Sequence, residues 1–236
     1  MSFSNYTELQ AAIASWMNRT DLGTEIVDFI ALAEGKMNVG IDLPNGDLVQ
    51  LRVREMLKTD IALLGTSDDD VTTSVHAIPS DYLEMKEYRP TGTWTGDDGA
   101  EVVTSADKLA LERYSNIHVK NHTDAGGGQP SDYSDDDTCD NWNVWPLSGN
   151  WQMTASYYGE VPPLASNATT DVLTRYPDIY LFGALAEGDR FTGAQSDWGQ
   201  RFVSAVMAAN AQERRSQYSG ATLRVQATYA GVRARQ

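Results

Sequence analysis

The sequence predicts an α+β fold that is mainly α: a helical bundle built from an N-terminal and a C-terminal helix pair, with an inserted small antiparallel β region and an extended C-terminal tail. Three observations predict it. Apolar residues recur at three- and four-residue steps over 9–37 and again over 177–209, the period of helices with one buried face. Between 56 and 165 the texture changes to alternating and β-branched residues broken by Gly, Pro, Asn and Asp, as in short strands joined by turns. Beyond Gly220 the chain is apolar and basic, with strand propensity and no partner visible in the sequence. The expected divisions are 1–55 for the first helix pair, 56–165 for the β-rich insertion, 166–220 for the helical hairpin completing the bundle, and 221–236 for the tail.

Asn5 followed by Glu8 reads as a capping box, and Leu9, Ile13 and Trp16 form a stripe that Asn18 and Asp21 interrupt. A second helix begins near Thr24, with Ile26, Phe29, Ile30, Ala33 and Met37 on one face. Pro44-Asn45-Gly46-Asp47 is a turn cluster, and Leu51 to Glu55 reads equally as the end of a helix or the start of a strand. Met56 to His76 reads as a β-hairpin whose acidic tip is Gly65 to Asp70. Ile78 to Glu84 is a turn feeding a strand to Arg89, and Ser105 to Arg113 is expected to form one short helix. Residues 121–150 are the least regular, with Asp132, Asp135, Asp136, Asp137 and Asp140 repelling one another in a loop. Trp142 and Val144, then Trp151, Met153 and Ala155, alternate around Pro146 to Gly149 as a terminal hairpin. Pro162-Pro163 leads back to helices.

The stretch from Leu173 to Gly220 organises the rest. Pro177 fits the first turn of a helix and Asp178 suits the positive end of its dipole. Ile179, Phe182, Leu185 and Ala186 mark the buried stripe, and Gly183, Ala184 and Gly188 permit close backbone approach. After a break at Thr192 to Ser196, Trp198, Phe202, Ala205 and Ala209 mark a second stripe running to Ser219-Gly220. The expected bundle core is Trp16, Phe29, Ile30, Phe182, Leu185, Trp198 and Phe202.

With 236 residues, 41% of them hydrophobic, the chain can bury a sizeable core. A net charge of −15 makes it a poor candidate for gripping nucleic acid, which requires cations to neutralise phosphates. Charge is unevenly placed: residues 211–236 hold five arginines against Glu213, a net +4, which leaves −19 for the remainder. Cys139 is the only cysteine, so no intrachain disulfide forms. The first residues lack a basic and then apolar leader, and no apolar run approaches the ~18 residues of a membrane helix. A soluble protein made and kept inside a cell, with no membrane partner, is the expectation.

No motif supports catalysis. Ser105-Ala106-Asp107-Lys108 has S-x-x-K spacing without its companion motifs, and Ser105 reads as a helix cap. Cys139 with His76, His118 and His122 would make a thiol dyad only against the acidity of its loop. The Asp132 to Asp140 run lacks the glycine and closing glutamate of a calcium loop, and His118 and His122 stand four apart outside any helical pattern. Gly126 to Gly128 is not followed by a phosphate-loop lysine. Trp94, Trp142, Trp145 and Trp151 read equally as core or contact surface. No cofactor or metal is expected. Two rival readings remain: a peptidoglycan hydrolase using carboxylates such as Glu84 or Asp81, and a calcium-steadied carbohydrate-binding module.

The segments NYTELQAAIASWMNRTDL, EIVDFIALAEGKMN, LRVREM, IPSDYLEMKEYRP and LTRYPDIYLFGALAEG, in this order, resemble the head-to-tail adaptor (connector) proteins of tailed bacteriophages. The resemblance covers nearly the whole chain. Val39 to Gln50 looks like extra length, and 121–140 is longer than the pattern. The resemblance implies a non-enzymatic virion protein at the head-tail junction, assembled in the host cytoplasm. It implies a ring of about twelve copies under the portal protein, joined on its other face to a tail, nozzle or neck protein. DNA would pass through the ring without specific binding. Leu223, Arg224, Val225, Tyr229, Arg233 and Arg235 are the expected portal or intersubunit contact, while Arg214 and Arg215 also suit the negative end of their own helix.

Overall fold

In the computed structural model, residues 3–66, 72–73, 75–95, 101–104, 110–113, 130–136, 138–145 and 150–218 are described. Helix α1, Tyr6–Met17, starts at Asn5, whose side chain accepts the Glu8 N–H at 3.0 Å, while Glu8 accepts from the Ser4 N–H at 2.8 Å. It ends at Asn18 in a left-handed conformation, φ 51°. Helix α2, Gly23–Val39, ends at Gly40 with φ 129°, where a Cβ would lie 2.7 Å from the Leu48 side chain. Only glycine fits both the backbone angle and the space. The chain then forms a small hairpin of β1, Ile41–Asp42, and β2, Leu48–Val49. Leu51, Val53 and Met56 enter the helical core, and Arg54–Met56 is a single 3₁₀ turn, neither of the two alternatives the sequence left open.

The β region, expected as one small antiparallel insertion, folds as two sheets. Strands β3 (Leu57–Thr66), β4 (Thr72–Thr73), β6 (Tyr82–Thr95), β7 (Glu101–Thr104) and β11 (Trp151–Gly159) form an antiparallel sheet in the order β4-β3-β11-β6-β7. Strands β5 (Val75–Ala77), β8 (Glu112–Arg113), β9 (Asp132–Asp135) and β10 (Asn141–Trp145) form a second sheet, β5-β10-β9-β8, whose β8–β9 pairing is parallel. The two sheets share one core: Leu64, Tyr88, Met153 and Ala155 from the first meet Tyr133, Trp142 and Val144 from the second. The mainly helical bundle is therefore corrected to an α+β protein that, among the described residues, has three sheets and two hydrophobic cores.

The physical reason lies in β6 and β11. Along β11 alternate side chains are buried from Trp151 to Gly159, and β6 runs six residues past Arg89 because a register shift beside Pro90 absorbs the proline's missing donor. Other expectations change with it. Trp142–Val144 and Trp151–Ala155 do not pair with each other, since β10 pairs with β5 and β9 while β11 pairs with β3 and β6. Asp132–Asp135 is a strand, its Tyr133 and Ser134 buried and Asp135 neutralised by Arg113, so charge repulsion does not keep it a loop. Glu112–Arg113 is strand where the end of a helix was expected; Ser105 lies outside the described residues. Among the described residues the Met56 to His76 hairpin pairs only next to its tip, Gly65–Thr66 against Thr72–Thr73, and at its open end Val75–His76 crosses to the second sheet.

Val161 and Leu164 lead back into the helical core. Helix α3, Asp171–Arg175, begins at Thr170, whose hydroxyl accepts the Leu173 N–H at 3.1 Å. Helix α4, Pro177–Thr192, begins on its proline and ends at Gly193, φ 70°; α5 is Trp198–Tyr218. Helix α4 packs against both α2 and α5, and Gly183 makes this possible: a Cβ there would lie 2.9 Å from the Ala33 Cβ and 3.1 Å from the Phe202 ring. The body is fastened to the returning chain by buried or half-buried side chains. Glu34 accepts the Leu164 N–H at 2.9 Å and Asn38 accepts the Val161 N–H at 2.9 Å. Arg175 bonds the nearly buried Glu55 at 2.6 Å.

Candidate assembly surface

Helix α5 buries Phe202, Val206, Ala209 and Glu213 at three- and four-residue steps, leaving Met207, Ala211, Arg214 and Arg215 on its outer side. Asn210 holds it to the connector before the β region. Its Oδ1 accepts the Arg52 N–H at 2.9 Å and its Nδ2 donates to the Gln50 carbonyl at 2.7 Å. The amide thereby imitates a neighbouring strand and satisfies the backbone of Gln50 and Arg52, just after β2. Arg52 completes the joint, donating to Glu84 at 2.8 Å and to the Leu51 carbonyl at 2.7 Å.

Beside this joint lies a groove of about 820 Å³, between the β1–β2 hairpin and the last turns of α5. Its apolar walls are Leu48 and Met207, 50% and 51% exposed, with Tyr158; Glu84, Arg52 and Arg214 stand at its polar side. None of Leu48, Arg52, Met207 and Asn210 was singled out in the sequence. The hairpin falls in the stretch that reads as extra length, and its Asn45-Gly46-Asp47 turn is the signal that a structured element sits there.

Among the anticipated contact residues, Arg214 and Arg215 are exposed near the end of α5, where their charge favours the negative pole of the helix. Leu223, Arg224, Val225, Tyr229, Arg233 and Arg235 lie outside the described residues. Of the anticipated bundle core, Phe29, Ile30, Leu185 and Phe202 are buried, and Phe182 and Trp198 are half-buried against them. Trp16 is 44% exposed at the end of α1, edge-on to Trp198 at 5.5 Å between centroids, because its stripe runs out where the bundle does. Trp142 is wholly buried and Trp151 nearly so; the side chain of Trp94 is outside the described set.

Among the described residues the rival chemistries are not assembled. Asp81 bonds Lys58 and accepts from the Tyr157 hydroxyl; burial pushes its carboxyl up, the Lys58 ammonium and that hydroxyl outweigh the push, and the group sits below its ordinary value. A general acid needs the opposite shift. Glu84 is engaged by Arg52. Asp136 accepts from Asn141, Thr138 and the Asp140 N–H, which bring its carboxyl down to about 2. Among the described residues no group of three or more His, Cys, Asp or Glu side chains is placed to hold a metal. His76 is buried with Nε2 on the Asp60 carboxylate at 2.8 Å and Nδ1 on the Tyr88 hydroxyl at 2.9 Å, so neither nitrogen is open to the exposed Cys139. His118 and His122 lie outside the described residues. Among the described residues no helix is long and apolar enough to cross a membrane.

Among curated proteins none matches the chain. The sequence profile of the family described as SU10 adaptor protein matches residues 4–226, from the cap of α1 through both cores and α5 and on into the tail. The chain belongs to the SU10 adaptor protein family, a family of phage head-to-tail adaptors.

Proposed function

We propose that this chain is a structural virion protein that forms a ring below the portal protein, joins the capsid to a tail, nozzle or neck protein, and lines the channel through which DNA passes. The observation that carries the reading is the family match over residues 4–226. Three physical features support it. Helices α2 and α5 both pack on α4, and each carries exposed apolar side chains, Leu32 and Val39 on one and Met207 on the other. Contact between unlike flanks of successive copies closes into a ring when the rotation closes. A net charge of −15 suits a channel wall, because fixed carboxylates repel phosphate and leave DNA free to slide. The tail, with Arg224, Arg233 and Arg235 and no acidic residue after Glu213, crosses to the portal or to a neighbouring copy by strand addition and charge-assisted bonds.

A chain ending at Gly220 tests the assignment of the tail. Two lost charge-assisted bonds of about 1.5–3 kcal/mol each weaken portal binding at least ~100-fold. Undiminished affinity of the shortened chain for portal protein overturns it.

A further inference from the structure

The groove beside Asn210 is apolar on two walls, open, and bordered by a strand whose outer edge is unpaired: among the described residues β2 hydrogen-bonds only to β1. The groove flanks the final turns of α5, Met207 to Arg214, and the described chain ends one turn further on at Tyr218. Eighteen residues follow. Leu223-Arg224-Val225-Gln226-Ala227 alternates apolar and polar side chains, the period of a strand with one face covered. Ser219-Gly220 offers the reversal needed to double back.

We propose that in the unassembled subunit this groove is the seat of the chain's own tail, with Leu223 and Val225 lying against Leu48 and Met207 and Arg224 facing outward. The reach is sufficient. Met207 lies eleven residues before Tyr218, about 16 Å along a helix, and the seven residues from Tyr218 to Val225 extend about 23 Å. Tethering favours the chain's own segment over that of a second copy, because a short linker holds it near millimolar effective concentration, far above that of free subunits. The polar side of the groove is balanced, Arg52 and Arg214 against Glu84 and Glu213, so apolar side chains hold the tail and its arginines remain for another partner. The seat rests on the reading above only in taking the tail as the contact segment: stored there, the tail is kept from pairing prematurely with other edges, and assembly draws it out.

The test uses the full-length chain at low concentration without portal protein, so its failure is separate from failure of the ring. In a Cys139→Ser background, Met207→Cys is combined with Val225→Cys and oxidised with copper phenanthroline. The expected product is an intramolecular disulfide at monomer mass. Adding Leu48→Arg slows its formation about tenfold, the loss of one apolar contact, with an unchanged circular dichroism spectrum. Disulfide-linked dimers or ladders in place of the internal bridge identify a second copy as the occupant and overturn the proposal. Bridging no faster than that of Val225→Cys with Ile61→Cys, a residue on the outer face of the large sheet, also overturns it.

Discussion

Gly183→Ala and Gly35→Ala are chemically the same change on two helices of one body, and the structure predicts opposite signs. At Gly35 on α2 an added Cβ meets nothing within 4 Å, so the substitution gains only the helix preference of alanine, about 1 kcal/mol. At Gly183 on α4 the same methyl group lands 2.9 Å from the Ala33 Cβ and 3.1 and 3.2 Å from two atoms of the Phe202 ring. Carbon atoms pack at about 3.5–4.0 Å, so α2 or Phe202 has to retreat by several tenths of an ångström. Overpacking of this kind costs about 1–3 kcal/mol, which outweighs the propensity gain at its midpoint. The two variants should therefore differ by about 2 kcal/mol, or roughly 4–8 °C in Tm for a chain of this size. Urea and thermal denaturation of both variants beside the parent chain measure the difference. Equal stability of Gly183→Ala and Gly35→Ala would refute the close approach of α2 and α4 on which the helical body is built.

Three further perturbations probe other joints. Asn210→Ala leaves the half-buried Arg52 N–H without its acceptor, lowering stability by about 1–3 kcal/mol and speeding amide exchange at Arg52; unchanged exchange contradicts the Asn210 bridge. Trp142→Ala empties the middle of the two-sheet core and costs about 3–5 kcal/mol, whereas Trp142→Phe costs distinctly less because it also removes an indole N–H with no partner; denaturation midpoints decide. Burial pushes the Glu34 carboxyl above its ordinary value of 4.5, so its folded form holds the proton more tightly than the unfolded chain. The stability this contributes is complete below about pH 4.5 and is lost as pH rises through the higher folded value. Glu34→Gln stays neutral and can still accept the Leu164 N–H, so its stability relative to the parent should rise from pH 4 to pH 7; a constant difference contradicts the assignment.

The helices were legible because their signals are local. Asn5 with Glu8, Pro177 with Asp178, and the stripes at Ile26 to Met37 and Phe202 to Ala209 each lie within a few turns of one another. The sheets were not, because their determinants lie far apart along the chain. Trp151 faces Leu64 on one side and Thr93 on the other, and Trp142 faces His76, pairings that no local pattern announces. The strand expected to end at Arg89 instead runs on to Thr95, past a bulge beside Pro90. The Asp-rich stretch read as a repelling loop because the cation that neutralises Asp135 is Arg113, 22 residues earlier. Of the candidate surface, the basic residues at the end of α5 were visible as charge, while the groove depends on a hairpin and a helix brought together only by folding.

Imaging the purified chain with its portal protein by electron microscopy tests the central claim, that this fold joins parts of a virion, most directly. The account predicts annular density stacked coaxially on the portal ring, lost when the chain ends at Gly220. Separate portal rings beside unassociated single subunits, under conditions where both proteins are folded, would contradict it.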